Sequence, residues 1–340
     1  MNINIFIFFI TINFSKALKL NKSKLSNTVN GFNLRKGSNV ALVTPMFENG
    51  KIDYESYDNL IKWQIKQGTQ GIVILGSTGE SCTINDNERN HLIKRARLLT
   101  YDKVSLIVGT GTYDTEKTKK YTINAMNMGV DACLIVTPYY NKPPQKALIK
   151  HYNSISNEIE KNSKKLNIDI MPILLYNIPT RTNINLEFET IKELSNNKCI
   201  AGIKECNCDL ERLKNLKEID NFLIYTGEDD ISCEWVNNGA DGVISVTANL
   251  FPKEMNMIMN EALIKNNYSY KINNILKETH KNLFIQSNPI PIKYSLKYIN
   301  KIQSNYLREP LCKLEHKYED KLKKTISDVY SKKVKYLKDI

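Results

Sequence analysis

A lysine at position 204 directly follows a short apolar run at residues 199–203. Because such a run is typical of a buried strand, we expect the amine of Lys204 to project from the strand end into a poorly hydrated space. Burial disfavours the ammonium form and lowers a lysine pKa, which suits an amine nucleophile that attacks a carbonyl carbon. A salt-bridged or snorkelling lysine at a strand end is the alternative reading of this residue alone.

Hydroxyl groups lie at the ends of other apolar runs. Ser77 and Thr78 follow one run, Tyr140 follows another, and Tyr176 ends a third. A tyrosine hydroxyl both donates and accepts a hydrogen bond, so these groups could relay protons around an imine. Their combination with Lys204 favours a nucleophilic lysine over a structural one.

Two further features could bind carboxylates. Residues 76–80 read Gly-Ser-Thr-Gly-Glu, and the two glycines let backbone N–H groups approach a small anion closely, although a plain turn is an equal alternative. Arg181 offers a planar guanidinium fork for a second carboxylate. The residues therefore predict a reaction that joins a small 2-oxo acid, held as an imine on Lys204, to an acidic partner positioned by Arg181.

The elements that must position these residues repeat along the chain. Short apolar runs alternate with helical patterns, and the predicted strands are residues 40–44, 71–75, 104–108, 132–136, 172–176, 199–203, 222–225 and 242–246. Runs that are apolar throughout are typical of parallel strands covered on both faces. Eight such units predict an α/β protein with a closed (β/α)8 TIM barrel, in which residues at the carboxyl ends of the strands form the active site.

The chain divides into three predicted segments. Residues 1–36 form a leader, residues 37–265 the catalytic barrel and residues 266–340 a C-terminal helical region that we expect to pack subunits together. Residues 3–14 are apolar but too short to span a bilayer, and residues 18–36 are rich in Lys, Asn and Ser without acids. This composition predicts a removable signal plus transit-like leader to a plastid-type organelle. A disordered N-terminus on a cytoplasmic protein is the alternative.

The charge and the residue types exclude several classes of function. The net charge is +12, but residues 1–36 carry six cations and no acid, and residues 313–340 carry nine lysines against five acids, so the basic excess is terminal and predicts no nucleic-acid partner. No stretch of 18 apolar residues exists, so we expect no membrane association once the protein is mature. None of the histidines falls at a strand end, so we expect no metal site.

Several motifs together resemble the pyruvate-dependent class I aldolases of the dihydrodipicolinate synthase and N-acetylneuraminate lyase superfamily. The matching segments are residues 76–81, 137–141, 176–181, 202–205, 242–249 and the Asn-Pro-Ile-Pro-Ile-Lys segment 288–293. The resemblance runs from about Gly37 to Leu311. It implies condensation of pyruvate with L-aspartate 4-semialdehyde to 4-hydroxy-tetrahydrodipicolinate, the first committed step of diaminopimelate and lysine biosynthesis, with no cofactor beyond the covalent Schiff base.

The resemblance also assigns catalytic roles. Lys204 would form the Schiff base with pyruvate, and Tyr176 would donate and accept the proton. Ser77 and Tyr140 would complete a proton relay, with Tyr140 reaching into the site of a neighbouring subunit. The resemblance implies a homotetramer built as a dimer of dimers.

Four further residues are assigned to substrate binding by the same resemblance. Thr78, Gly227 and the backbone of Ile244 would hold pyruvate. Arg181 would bind the carboxylate of L-aspartate 4-semialdehyde.

The sequence departs from the family pattern in places. Ser77 stands where synthases usually have threonine, and residues 161–170 read as a polar surface extension. In the pocket through which lysine inhibits regulated relatives, Lys117 replaces an expected glutamate. Because a cation there repels the lysine ammonium, we expect weak or absent inhibition by lysine.

Two other functions stay open at this point. A lyase of the same superfamily would act on N-acetylneuraminate or a sugar 2-keto acid, and a catalytically inactive barrel would serve as a binding protein. The intact set of lysine, tyrosines and hydroxyls argues against the second.

Overall fold

The computed structural model describes residues 31–336, with side chains described as far as residue 332. Residues 1–30 of the predicted leader lie outside the described residues, so the leader stays a prediction. Within residues 31–336, no helix is long and apolar enough to cross a membrane.

Eight parallel strands form a closed barrel in sequence order, which confirms the predicted (β/α)8 TIM barrel. The barrel closes because the first strand pairs with both the second and the last, with Asn39 opposite Gly71 on one side and Ile244 on the other. The strands are β1 (Gly37–Ala41), β2 (Gly71–Ile74), β3 (Ser105–Gly109), β4 (Ala132–Val136), β5 (Ile173–Asn177), β6 (Ile200–Glu205), β7 (Leu223–Thr226) and β8 (Gly242–Ser245).

Helices follow the strands and surround the barrel. Those within the barrel repeat are α1 (Tyr54–Lys66), α2 (Asp86–Thr100), α3 (Thr115–Asn127), α4 (Gln145–Leu166), α5 (Pro179–Thr182), α6 (Phe188–Ser195), α7 (Leu210–Leu216), α8 (Ser232–Asn237) and α9 (Pro252–Leu263). The C-terminal helices are α10 (Tyr268–Asn282), α11 (Ile290–Tyr298) and α12 (Glu319–Tyr336). Polar residues cap several N-termini; Asp53, for example, accepts a hydrogen bond from the Ser56 backbone N–H at the start of α1.

Two strands differ from their predicted bounds in ways that bear on the site. β1 begins three residues earlier than predicted, because the polar Ser38 and Asn39 are fully buried in the sheet and leave no hydrophobic signal. β6 continues to Glu205, so Lys204 lies inside the strand rather than just after it. Its backbone is therefore held by pairing within the sheet instead of lying in a loop.

Apolar side chains fill both the inside of the barrel and the layer between strands and helices. Inside, residues such as Val73, Leu174 and Ile244 form a continuous cluster. Leu34 belongs to the same cluster and is fully buried, and the Tyr225 hydroxyl donates to the Arg35 carbonyl oxygen at 3.0 Å. Contacts with the barrel therefore begin before the predicted boundary at residue 37.

The C-terminal helices pack against the barrel of their own chain. The Asn282 amide of α10 donates to the Thr325 hydroxyl of α12 at 2.8 Å, and Phe251 stacks edge-on against Tyr330. A role of this region in packing subunits stays a prediction. The predicted extension at 161–170 begins as the end of α4, which runs to Leu166.

Candidate active site

Lys204 and Tyr176 lie side by side within the barrel. They are paired across β5 and β6, so the pleat of the sheet directs both side chains to the same face. Lys204 is 7% exposed and Tyr176 is 6% exposed. Lys204 Nζ lies 4.5 Å from the centre of the Tyr176 ring. The structure thus brings the predicted nucleophile and the predicted proton carrier into contact.

Ser77 lies close to this pair, and its side chain acts to lower the pKa of the Tyr176 hydroxyl, against the effect of burial. Ser77 lies in the tight turn after β2, where the Gly79 N–H donates to the Gly76 carbonyl oxygen. The Thr44 hydroxyl, in the loop after the neighbouring β1, donates to the Gly79 carbonyl oxygen at 2.8 Å and anchors this turn. The arrangement provides a path for a proton from Lys204 through Tyr176 to Ser77.

The protonation of Lys204 differs from the sequence expectation. Burial does act to lower the pKa of Lys204, but the surrounding Tyr176, Cys206 and Glu228 together outweigh it and raise the pKa. The expectation of a lowered pKa is therefore wrong, because the neighbours of the amine could not be read from the strand alone. Burial also raises the pKa of Tyr176, while the Lys204 ammonium acts in the opposite direction.

Glu228 and Cys206 also lie near Lys204 and act to raise its pKa. Burial raises the pKa of Glu228, while the Lys204 ammonium acts in the opposite direction. Gly227, between them, is needed for space, since a Cβ at this position would lie 2.7 Å from Lys204 Cε and closer still to Cys206 Sγ. The predicted substrate residue Gly227 thus lies against the reacting amine.

Glu205, the neighbour of Lys204, points to the opposite face of β6 and is fully buried. Its carboxylate accepts hydrogen bonds from Asn177 at 2.8 Å, from the Asn207 backbone N–H at 2.7 Å and from two nitrogens of Arg212. Because a buried carboxylate must be fully bonded to be tolerated, this cluster fixes the end of β6 and with it the position of Lys204.

The predicted substrate-binding residues Thr78 and Arg181 are joined by Asn288. The Asn288 amide donates to the Thr78 hydroxyl at 2.9 Å, and an Arg181 guanidinium nitrogen donates to the Asn288 carbonyl oxygen at 3.1 Å. Arg181 lies in α5 at the exposed rim, and Ile244 lies buried in the barrel wall. Thr78 and Arg181 therefore lie on opposite sides of a single residue.

A buried ion pair ties the same turn to the C-terminal helices. Lys293 Nζ lies 2.6 Å from Glu80 Oε1, and both side chains are almost completely buried. Glu80 Oε2 also accepts the Arg308 backbone N–H at 3.2 Å. Glu80 has a positive φ of 56°, which is uncommon for a residue with a side chain, so these contacts hold a turn that would otherwise relax.

Tyr140 is the one predicted catalytic residue that the fold does not bring to Lys204. Its side chain is 90% exposed and its backbone has a positive φ of 73°. The preceding Tyr139 packs edge-on against Tyr113, with ring centres 5.4 Å apart. Within one chain Tyr140 therefore points away from the barrel surface.

Sequence reasoning gave no role to Asn288, Lys293, Cys206 or Glu228. Asn288 and Lys293 belong to the Asn-Pro-Ile-Pro-Ile-Lys segment. A polar and a charged residue within an otherwise apolar segment could have indicated that both are buried and bonded. Cys206 and Glu228 directly follow strand-end residues already singled out. Over residues 31–336, no group of three or more His, Cys, Asp or Glu side chains could hold a metal ion.

The sequence and the fold are similar to those of known proteins. The model of the dihydrodipicolinate synthetase family matches residues 34–329. A 4-hydroxy-tetrahydrodipicolinate synthase from Fervidobacterium nodosum is 38% identical over 301 residues, which cover 86% of this chain and 98% of that protein. The structure of a dihydrodipicolinate synthase from Thermotoga maritima is 36% identical in sequence and superposes with a TM-score of 0.81; the match covers 86% of this chain and 98% of that chain. The structure of a dihydrodipicolinate synthase from Acinetobacter baumannii, complexed with pyruvate, is 36% identical and has a TM-score of 0.82; the match covers 86% of this chain and 98% of that chain.

Proposed function

This chain belongs to the dihydrodipicolinate synthetase family, and we propose that it condenses pyruvate with L-aspartate 4-semialdehyde to give 4-hydroxy-tetrahydrodipicolinate. The observation that carries the proposal is the buried contact between Lys204 Nζ and the Tyr176 ring at 4.5 Å. A buried amine beside a hydroxyl that can take and return a proton is what imine chemistry requires.

The first half of the reaction activates pyruvate. The Lys204 ammonium loses its proton to water, with the hydroxyls of Tyr176 and Ser77 relaying it by accepting one proton as they release another, and the free amine attacks the keto carbon. Loss of water gives the imine. Removal of a proton from the pyruvate methyl group then gives an enamine, for which Tyr176 is the adjacent proton carrier. Thr78, Gly227 and the Ile244 backbone hold the pyruvate carboxylate beside Lys204.

The second half joins the aldehyde. The enamine carbon attacks the aldehyde carbon, whose oxygen takes up a proton to become the hydroxyl. The amino group of the former aldehyde then replaces the Lys204 amine at the imine carbon, which closes the ring and frees Lys204. Arg181, exposed at the rim, binds the carboxylate of the incoming aldehyde.

The direct experiment is borohydride reduction in the presence of pyruvate, followed by peptide mass mapping. We expect the reduced pyruvate adduct on the peptide that contains Lys204, and none in Lys204→Ala. Lys198→Ala is the matched control, because Lys198 lies just before β6 and is exposed, where it pairs with Glu160 of α4. An assay with L-aspartate 4-semialdehyde then tests the acceptor.

Two outcomes would contradict the proposal. Release of pyruvate from N-acetylneuraminate without turnover of the semialdehyde would indicate a lyase of the same superfamily. No trapping of pyruvate by the wild-type protein would indicate an inactive barrel with a binding role.

We also propose that the protein assembles as a homotetramer in which Tyr140 completes the site of a neighbouring subunit. The 90% exposure of Tyr140 supports this proposal. Co-expression of Lys204→Ala and Tyr140→Phe chains tests it, because a mixed pair then contains one site with an intact Lys204 and an intact Tyr140 from the partner. Activity above that of either variant alone is expected, and equal inactivity would contradict the sharing of Tyr140.

The proposal of plastid-type targeting rests on the composition of residues 1–36 alone. Fusing these residues to a fluorescent reporter tests it. Import into an organelle is expected, and a reporter that remains in the cytosol would overturn the proposal.

A further inference from the structure

β6 contains one residue more than β5 over the length in which the two strands pair. Ile173 is opposite Ile200, but the next residue of β5, Leu174, is opposite Gly202, so Ala201 is an extra residue that forms a bulge. Bulges are rare between parallel strands, and those near active sites redirect the side chains that follow them. This bulge lies directly before the part of β6 that carries the reactive lysine.

The bulge decides which face of β6 carries Lys204. Side chains alternate between the two faces of a regular strand, so residues three apart point in opposite directions. Ile200 and Ile203 are three apart, yet both belong to the apolar layer between the strands and the helices. Ala201 and Lys204 are also three apart, yet Ala201 belongs to the cluster inside the barrel and Lys204 lies there against the Tyr176 ring. In a regular strand with Ile200 facing outwards, Lys204 would face outwards as well.

A slip of β6 by one residue would therefore remove the reactive lysine from the site, because such a slip turns every side chain to the other face. Gly202 makes the bulged register possible. A Cβ at this position would overlap the Leu223 carbonyl oxygen of β7, so the two strands approach too closely here for any other residue. Since the bulge interrupts the regular pairing, contacts beyond it must hold the strand in this register.

One such contact joins the residues that follow Tyr176 and Lys204. Asn177 is opposite Glu205, just as Tyr176 is opposite Lys204, and the pleat puts this second pair on the outer face of the sheet. The Asn177 amide donates to Glu205 Oε1 at 2.8 Å, and both residues are fully buried. In a register slipped by one residue Glu205 would face into the barrel, and this hydrogen bond would be lost. The bond is therefore specific to the register that places Lys204 inside.

Two further residues close a ring of hydrogen bonds around this contact. Arg212 of α7 donates to Glu205 Oε2 at 3.1 and 2.9 Å and also to the Leu186 carbonyl oxygen. The Leu186 N–H in turn donates to Asn177 Oδ1 at 2.9 Å. Because Arg212 compensates the buried charge of Glu205, replacing Asn177 breaks the contact between the strands without leaving an unpaired charge.

We propose that Asn177 and Glu205 are positioning residues for Lys204: their hydrogen bond holds β6 in the bulged register and so keeps the lysine beside Tyr176. This inference rests on the proposed function, since it takes Lys204 as the residue that forms the imine with pyruvate. It assigns a part in the reaction to two residues on the face of the sheet away from the substrate.

The test measures the rate constant of borohydride-trappable imine formation at saturating pyruvate, per folded molecule, in Asn177→Ala. We expect a fall of about 10- to 100-fold, because displacement of a reacting group by about 1 Å can cost about 100-fold in rate. The pH profile of trapping should also move to lower pH, because Lys204 leaves Tyr176, Cys206 and Glu228, which raise its pKa. A loss of stability alone would reduce the number of folded molecules without moving this profile.

Asn282→Ala is the matched control, because Asn282 is also buried and its amide joins two elements away from the site by donating to Thr325 at 2.8 Å. Urea titrations compare the stability of the two variants, and Asn282→Ala is expected to keep the wild-type rate constant and profile. Glu205→Gln keeps an oxygen that accepts from Asn177 and removes the charge, so its rate constant should stay closer to that of the wild type than that of Asn177→Ala.

If Asn177→Ala does not fold, Asn177→Leu takes its place with the same expected result, since leucine has a similar volume and suits the apolar layer around this position. A wild-type rate constant and profile in the Asn177 variant would overturn the inference. Equal losses in Asn282→Ala, or a loss in Glu205→Gln as large as in the Asn177 variant, would overturn it as well. All these outcomes leave the proposed function standing, whereas no trapping by the wild type would contradict the proposed function itself and the inference with it.

Discussion

Tyr176 and Lys204 occupy paired positions on adjacent strands, and the lysine ammonium lies against the face of the tyrosine ring. The pairing of β5 with β6 fixes the backbones of the two residues side by side. The side chain of Ser77 acts on the hydroxyl of Tyr176 and lowers its pKa, against the effect of burial. We therefore expect changes at either residue to alter the rate of the reaction.

Tyr176→Phe removes the hydroxyl and keeps the ring. Because proton transfer by a positioned side chain is worth about 100- to 10,000-fold in rate, we expect kcat to fall within that range while the KM for pyruvate changes little. Tyr152→Phe is the control, since Tyr152 is also buried and its hydroxyl donates to the Ile135 carbonyl oxygen. The measurement is the steady-state kcat and KM of both variants. A Tyr176→Phe enzyme with the wild-type kcat would rule out proton transfer by Tyr176.

The raised pKa of Lys204 predicts how imine formation depends on pH. The amine attacks only when neutral, so the rate of borohydride-trappable imine formation should rise with pH from neutral towards the raised pKa. Glu228→Gln removes one of the charges that raise this pKa, and the profile should move to lower pH. Glu234→Gln, on the exposed side of α8, should leave it in place. An unshifted profile in Glu228→Gln would mean that Glu228 does not act on the amine.

The buried pair of Glu80 and Lys293 predicts a large loss of stability when one partner is removed. Lys293→Met leaves the Glu80 carboxylate buried without its cation, and the free energy of unfolding should fall by about 3–5 kcal/mol in urea titrations. Lys313→Met, which breaks an exposed pair with Glu48, should cost much less.

Adding Glu80→Gln to Lys293→Met removes the uncompensated charge and should recover part of the lost stability. If the double variant is no more stable than Lys293→Met, the loss comes from packing rather than from the buried charge.

The surroundings of Lys117 predict that L-lysine inhibits weakly. Lys117 and Arg89 both face the ring of Tyr121, and Lys120 lies beside them paired to Asp86. These neighbouring cations repel the ammonium groups of an L-lysine molecule that binds here. We expect no half-inhibition at sub-millimolar L-lysine in the synthase assay, and greater sensitivity in Lys117→Glu than in Lys119→Glu. Strong inhibition of the wild type would contradict the prediction.

The barrel and the identity of its reacting residues could be predicted from the sequence, because both depend on local patterns. A strand buried on both faces must be apolar throughout, so eight such runs indicate eight strands. A barrel collects its functional groups at the strand ends, so Lys204, Tyr176 and Ser77 could be grouped without knowing any distance.

The direction of the pKa shift of Lys204 and the contacts of Asn288 depended on the tertiary structure. A pKa is set by every group around the amine, and Glu228 reaches Lys204 from a different strand. Asn288 meets Thr78 and Arg181 from positions more than 100 residues away in the chain. No local pattern encodes such meetings, because they arise only when the C-terminal helices pack onto the mouth of the barrel.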